Sequence, residues 1–206
     1  MRYLVVEQIK VGFDNYSYLV FCEQSKKAAI VDPGFGASHI TDNINNKNCK
    51  LEYIIITHHH SDHTSGVNTI KKEFPQSRLV ASKEDGRNFD VDDFITDGDS
   101  LRIGNINLKF ILTPGHTPGG ICIIVDDIAI ITGDTLFIGD CGRCDLPGGS
   151  LSEMFQSLQK IKELSDHLIV YPGHNYGDKP FDTLGNQKKT NKTLLAKNSE
   201  EFSKIS

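Results

Sequence analysis

The sequence predicts an α/β fold in which two β-sheets pack together with helices outside, and three observations carry that expectation. Short runs rich in Val, Ile, Tyr and Phe alternate with helical patterns along the chain. The order of strands, helix, strand and helix occurs twice, although no sequence repeat accompanies it. Every candidate ligand falls just after one of the strands, where loops collect on one edge of a rigid scaffold.

Leu4 to Val11, Tyr16 to Cys22 and Ala28 to Val31 read as strands, the last stopping at the turn Asp32-Pro33-Gly34. A polar helix is expected from Ser38 to Asn46. The apolar run Tyr53-Ile54-Ile55-Ile56 is the next strand. Gly66 to Phe74 has helical spacing and is closed by Pro75. Arg78 to Ala81 is a short strand, and the acidic stretch Asp90 to Asp99 reads as a surface loop. Beyond Leu101 the chain is strand-rich again: Asn107 to Leu112, Ile121 to Val125 and Ile128 to Ile131, with Asp126-Asp127 as a hairpin turn. Gly133 to Gly149 is a long Gly-rich loop. Ser150 and Glu153 then fit a capping box, and Leu151, Met154, Phe155, Leu158, Ile161 and Leu164 mark the buried face of a helix. Leu168 to Tyr171 is a last strand. The 206 residues suit one domain, with 184–206 as a C-terminal helical tail.

Composition excludes several classes of function. A net charge of −5 and a pI near 5.9 argue against nucleic acid as a partner, because phosphate binding needs a basic surface. No apolar stretch is long enough to span a membrane, and Met1-Arg2 leads straight into strand-like alternation rather than a signal peptide, so the cytoplasm is the expected compartment. The five cysteines are an odd number at irregular spacing and do not read as a disulfide framework. Cys141 and Cys144 form a lone C-x-x-C, which reads as two small residues of a Gly-rich loop rather than as a redox pair.

Thr57-His58-His59-His60-Ser61-Asp62-His63 is the segment that speaks of chemistry. Imidazoles and a carboxylate crowded at a strand end suit a transition-metal site. Such an H-x-H-x-D-H match arises by chance about once in a thousand chains of this length. Three more strand ends add His116 in Pro114-Gly115-His116, Asp134 in Gly133-Asp134, and His174 in Gly173-His174. Alternate side chains such as His58 and His60 can point the same way and share one ion, while Asp62 and His63 lie past the bend and can serve a second. Asp134 has two oxygens with which to bridge them. His59 is expected to point away and bond locally. His39 and His167 are expected to be surface residues.

H-x-H-x-D-H followed by G-H, G-D and G-H resembles the metallo-β-lactamase superfamily over nearly the whole chain. The resemblance implies a four-layer αβ/βα sandwich with a metal site on one edge. Carried over by position, His58, His60 and His116 would hold a first ion, Asp62, His63 and His174 a second, and Asp134 would bridge. Two divalent ions are implied, zinc first, with iron or manganese as alternatives. Aspartate rather than cysteine at 134 argues against antibiotic hydrolysis.

Within the family, Asp14-Asn15-Tyr16, Gly133 to Phe137 and Gly173 to Tyr176 are similar to glyoxalase II, the hydroxyacylglutathione hydrolase. The run Cys141 to Pro147, and Thr183-Leu184-Gly185 with Lys188, Lys189, Thr190 and Asn191, look more like compact glyoxalase II-like hydrolases and persulfide dioxygenases. The resemblance implies a thioesterase acting on a small thioester such as S-lactoylglutathione through a metal-bound hydroxide, with Asp62 orienting the nucleophile. Arg143 would meet a substrate carboxylate and Tyr176 would be a second substrate contact; a salt bridge from Arg143 to Asp140 or Asp145 is the competing reading. The alternative chemistry is a mononuclear iron persulfide dioxygenase using His58, His116 and Asp134.

Overall fold

The computed structural model describes residues 4–205, so the Met1-Arg2 start lies outside the described residues. The first sheet holds β1 (Leu4–Val11), β2 (Asn15–Cys22), β3 (Lys27–Val31), β4 (Lys50–Ile55), β5 (Arg78–Ser82) and β6 (Asp93–Ile95), side by side in sequence order. The second holds β7 (Ser100–Ile103), β8 (Ile106–Leu112), β9 (Ile121–Val125), β10 (Ala129–Gly133), β11 (Ile169–Pro172) and β12 (Asp182–Thr183), again with sequence neighbours as spatial neighbours. Antiparallel pairing joins β1, β2 and β3 through short turns. β3, β4, β5 and β6 run parallel. A parallel crossover needs a connecting segment; α1 (Ala37–Asn46) supplies the first, and α2 (Ser61–Thr64) with α3 (Val67–Glu73) supplies the second. β10 and β11 are parallel in the same way, bridged by α4 (Leu151–Lys162).

Period-2 alternation sorts the core into three layers. Tyr18, Val20 and Cys22 of β2 face inward between the sheets with Val31, Ile55, Leu108, Phe110, Ile123 and Ile131. Leu19 and Phe21 face the other way and pack with Ile40 and Ile44 of α1 and Ile70 of α3. On the far side of the second sheet, Ile124, Ile130 and Val170 meet Met154, Leu158 and Ile161 of α4. The layers are therefore helix, sheet, sheet, helix. The chain ends in three short helices, α5 (Leu184–Thr190), α6 (Lys192–Leu195) and α7 (Ser199–Phe202), whose Leu184, Leu194 and Phe202 close the same outer core.

Three expectations are corrected. The acidic stretch Asp90 to Asp99 contains β6, the edge of the first sheet, where Lys71 pairs with Asp92 at 2.6 Å and Arg78 with Asp93. Charges on an edge strand discourage further pairing, which is why the segment reads as solvated. Leu151 is 40% exposed, because at the first position of α4 it lines a surface pocket with Arg143, Cys144 and Asp145. Ser150 caps that helix by accepting from the Glu153 amide, but its own N–H donates to the Gly115 carbonyl at 2.8 Å, which leaves no amide for the Glu153 side chain to satisfy. That last contact links α4 to the site: a Cβ at Gly115 would stand 2.4 Å from the Met154 Cα, so only glycine lets the helix approach the His116 turn.

Candidate metal centre

Parallel strands leave their C-terminal ends on one edge, and the candidate ligands collect there. Asp32 ends β3, and His58 to His63 follow β4. From the second sheet, His116 follows β8, Asp134 follows β10 and His174 follows β11. The two sheets are tied at this edge by the Tyr16 amide donating to the Gly173 carbonyl at 2.8 Å and the Asn175 amide to the Asp14 carbonyl at 2.7 Å.

All seven candidate ligands converge. The donor atoms of His58, His60 and His116 lie within 4.8 Å of one another, and so do those of Asp62, His63 and His174. Asp134 stands between the two groups. Its Oδ2 is 3.2 Å from His174 Nε2, 3.5 Å from His116 Nε2 and 4.0 Å from His58 Nε2, while its Oδ1 is 3.3 Å from His63 Nε2. Among the described residues, only three buried side-chain atoms lack a hydrogen-bond partner, and His58 Nε2 and Asp134 Oδ1 are two of them. Unpaired buried acceptors aimed into a cluster of imidazoles and carboxylates fit a divalent cation, which would satisfy both.

The protonation pattern points the same way. Burial, helped by the neighbouring imidazoles, pushes His58 well below the usual histidine range, and burial also lowers His60. Both are neutral at pH 7, the form that binds metal. Burial pushes His63 and His174 down too, but adjacent carboxylates outweigh it. Asp134 and Asp32 carry His63 well up, and Asp134 with Asp62 brings His174 to about 9. Asp62 and Asp134 remain ionised despite burial, held below the usual carboxylate range by His174 and His63. The protons on His63 and His174 thus balance the two carboxylates, and a bound cation would displace them.

Around this cluster stand groups to which the sequence assigned no role in holding the ligands. Asp32, buried with φ +51°, accepts from the Thr57 amide and hydroxyl, both at 2.6 Å, and faces His63 Nδ1 at 3.1 Å. The Thr57 hydroxyl in turn lies 3.0 Å from His58 Nδ1. Asn15 donates to Asp62 at 2.9 Å, and Asp14 faces His174 Nδ1 at 3.3 Å. The backbone carbonyl of Arg143 orients His116 through Nδ1 at 2.7 Å. A left-handed aspartate before Pro-Gly was legible only as a turn; nothing in the sequence tells that its side chain points back at a histidine.

The remaining residues fall as follows. His59 points away and bonds to Asp85 at 3.0 Å, and His39 and His167 are exposed. Arg143 makes a two-pronged pair with Asp145 at 2.6 Å, whereas Asp140 pairs with Lys192. Arg143 also lines a pocket of about 240 Å³ with His116, Asp134, Phe137, Cys141 and Tyr176. Tyr176 stacks on the His174 ring at 4.7 Å and 9°. Burial pushes the Cys141 thiol up to about 12 and the Cys144 thiol to about 11. No described helix is long and apolar enough to cross a membrane.

A family model described as the metallo-beta-lactamase superfamily matches residues 11–174. The probable polyketide biosynthesis zinc-dependent hydrolase PksB of Bacillus subtilis is 38% identical over 177 residues, covering 84% of this chain and 78% of its own. The hydroxyacylglutathione hydrolase of Pelagibacter ubique is 35% identical over 172 residues, 83% of this chain and 71% of its own. The mitochondrial persulfide dioxygenase ETHE1 of Mus musculus is 32% identical over 194 residues, 93% and 75% of the two chains. The crystal structure of ETHE1 from Myxococcus xanthus superposes with a TM-score of 0.88 at 26% identity, covering 98% of this chain and 89% of that one.

Proposed function

This chain belongs to the metallo-β-lactamase superfamily of metal-dependent hydrolases, and on that premise we propose that it is a glyoxalase II-like thioesterase with two metal ions. The observation that carries the reading is the place of Asp134, within 4.0 Å of His58, His63, His116 and His174. A carboxylate at that point can serve both donor groups at once. His58, His60 and His116 would hold one ion, Asp62, His63 and His174 the other. PksB is described as a zinc-dependent hydrolase, which favours zinc. When bound, such ions supply hydroxide at neutral pH and polarise the carbonyl under attack.

The chain's own residues do the rest. Asp62 is ionised and partly open to solvent, fixed by Asn15, and it can accept a hydrogen bond from an attacking water and so orient it. The Tyr176 hydroxyl, pushed up to about 12 by burial and the nearby carboxylates, stays protonated and can donate to a substrate group in the pocket. Asp145 occupies the Nε and Nη2 edge of Arg143, which leaves Nη1 for a substrate carboxylate. The substrate is a small thioester whose thiol arm leaves through the pocket of Phe137, Arg143 and Tyr176.

A second reading rests on the 32% identity to the persulfide dioxygenase ETHE1 of Mus musculus, over an alignment covering 93% of the chain. His58, His116 and Asp134 would then be a 2-His-1-carboxylate iron site. The two readings separate in one assay pair on protein purified without added metal: S-lactoylglutathione hydrolysis, and oxygen uptake with glutathione persulfide. Thioester turnover without oxygen uptake supports the thioesterase. Oxygen uptake without thioester turnover transfers the assignment to the dioxygenase.

A further inference from the structure

His58, His60 and His116 reach their common point from different sheets: the first two follow β4, and the third follows β8. Their spacing therefore depends on whatever ties those two loops together. Asp85, on the turn after β5 and only 3% exposed, lies between them. Its Oδ1 faces His59 Nδ1 at 3.0 Å and accepts from the Gly119 amide at 3.2 Å; its Oδ2 accepts from the Thr117 hydroxyl at 2.5 Å. His59 sits between His58 and His60, and Thr117 directly follows His116. The turn is itself fixed, because the Asp85 amide donates to the Ser82 hydroxyl at 3.3 Å. Gly119 is pressed against it so closely that a Cβ would stand 2.3 Å from Ser82 Oγ and 2.7 Å from the Asp85 nitrogen.

We infer that Asp85 is a positioning residue for the His58–His60–His116 donor group, a clasp that holds two ligand loops from opposite sheets in register; this rests on the metal reading proposed above. A buried carboxylate is costly unless its oxygens are satisfied, and the groups that satisfy this one belong to the two ligand loops. Among the described residues, Asp85 is in neither the His58–His60–His116 nor the Asp62–His63–His174 donor group, so it acts through His59, Thr117 and Gly119. The other donor group is anchored by different residues: Asp32 holds His63, Asn15 holds Asp62 and Asp14 faces His174. Loss of the clasp is therefore selective for one metal position.

The test is a titration of chelator-treated, full-length protein with Co²⁺, followed by absorption and checked by equilibrium dialysis with Zn²⁺. Wild type is expected to show two binding events. Asp85→Asn should weaken one of them about ten- to a hundredfold, the usual effect of removing an outer-shell partner, and spare the other. In a His116→Ala background, where the first group is already disabled, Asp85→Asn should make no further difference. Equal weakening of both events, a loss that persists in the His116→Ala background, or no change at all would each overturn the clasp. Should Asp85→Asn fail to fold, Thr117→Val removes a single donor and should weaken the same event more mildly; an unaffected Thr117→Val then counts against the clasp. A wild type that binds no cobalt fells the metal reading itself, whereas two wild-type events with indifferent variants fell only the clasp.

Discussion

The Nδ1 atom of His63 lies 3.1 Å from Oδ2 of Asp32, a buried carboxylate that also receives both polar hydrogens of Thr57. Nδ1 donates in that contact, which aims Nε2, 3.3 Å from Asp134, into the cluster as the nitrogen a bound cation would take in place of its proton. Asp32→Ala removes this orientation and strands the buried Thr57 donors, at a cost of about 1–3 kcal/mol in stability. Denaturant unfolding should show that loss, and dialysis should show metal released from the Asp62–His63–His174 group first. Unchanged metal affinity would sever Asp32 from the site.

Replacing Asp134 with alanine removes the carboxylate that stands between the two donor groups. At least one metal should be lost, and turnover should fall by several orders of magnitude. Retained metal with full activity, measured on the same preparation, refutes the bridging role.

Gly173 meets Asp134 at contact distance: a Cβ there would stand 2.2 Å from Asp134 Oδ1 and 2.9 Å from His63 Cε1. Gly173→Ala should therefore displace the Asp134 carboxylate and lower metal content while the far-ultraviolet circular dichroism keeps its shape. Wild-type metal content in this variant would mean that Asp134 has room to move.

Arg143→Ala removes an exposed ion pair with Asp145 from the mouth of the pocket. Exposed pairs contribute little to stability, so the melting temperature should hardly move. A substrate-binding role predicts a raised KM at nearly constant kcat. Unchanged KM for S-lactoylglutathione leaves only the Asp145 salt bridge.

The metal-free protein has its own pH signature. His174 is raised to about 9 by Asp134 and Asp62 against the pull of burial, while an unfolded histidine titrates near 6.5. Its folded value lies above its unfolded value, so its contribution is complete below about pH 6.5 and is lost as the pH climbs through about 9. His63 shifts in the same direction. Chelator-treated protein should thus show a falling melting temperature across that window, and metal-loaded protein should not, because the cation replaces the protons. A melting temperature that rises between pH 6.5 and 9 without metal contradicts the assignment.

Much of this was legible in the sequence because ligands and strands share one grammar. His58, His116, Asp134 and His174 each follow an apolar run with period-2 or buried character, and each sits in a frame of Gly, Pro or Thr. What stayed hidden depends on distance in space rather than on local pattern. Asp32 and Asp85 look like ordinary loop acids, and only the packing of β3, β4 and β5 side by side turns them toward His63 and His59. The edge strand β6 was masked by charges that pair with Lys71 and Arg78 from neighbouring elements. Arg143 could be narrowed to two partners but not to one, since Asp140 is claimed by Lys192 from the distant α6.

The most direct test of the account is metal content by mass spectrometry on protein purified without added metal, with S-lactoylglutathione turnover measured on the same sample. The bridging role proposed for Asp134 predicts about two zinc ions per chain accompanied by turnover. About one iron per chain with no turnover contradicts the two-metal thioesterase.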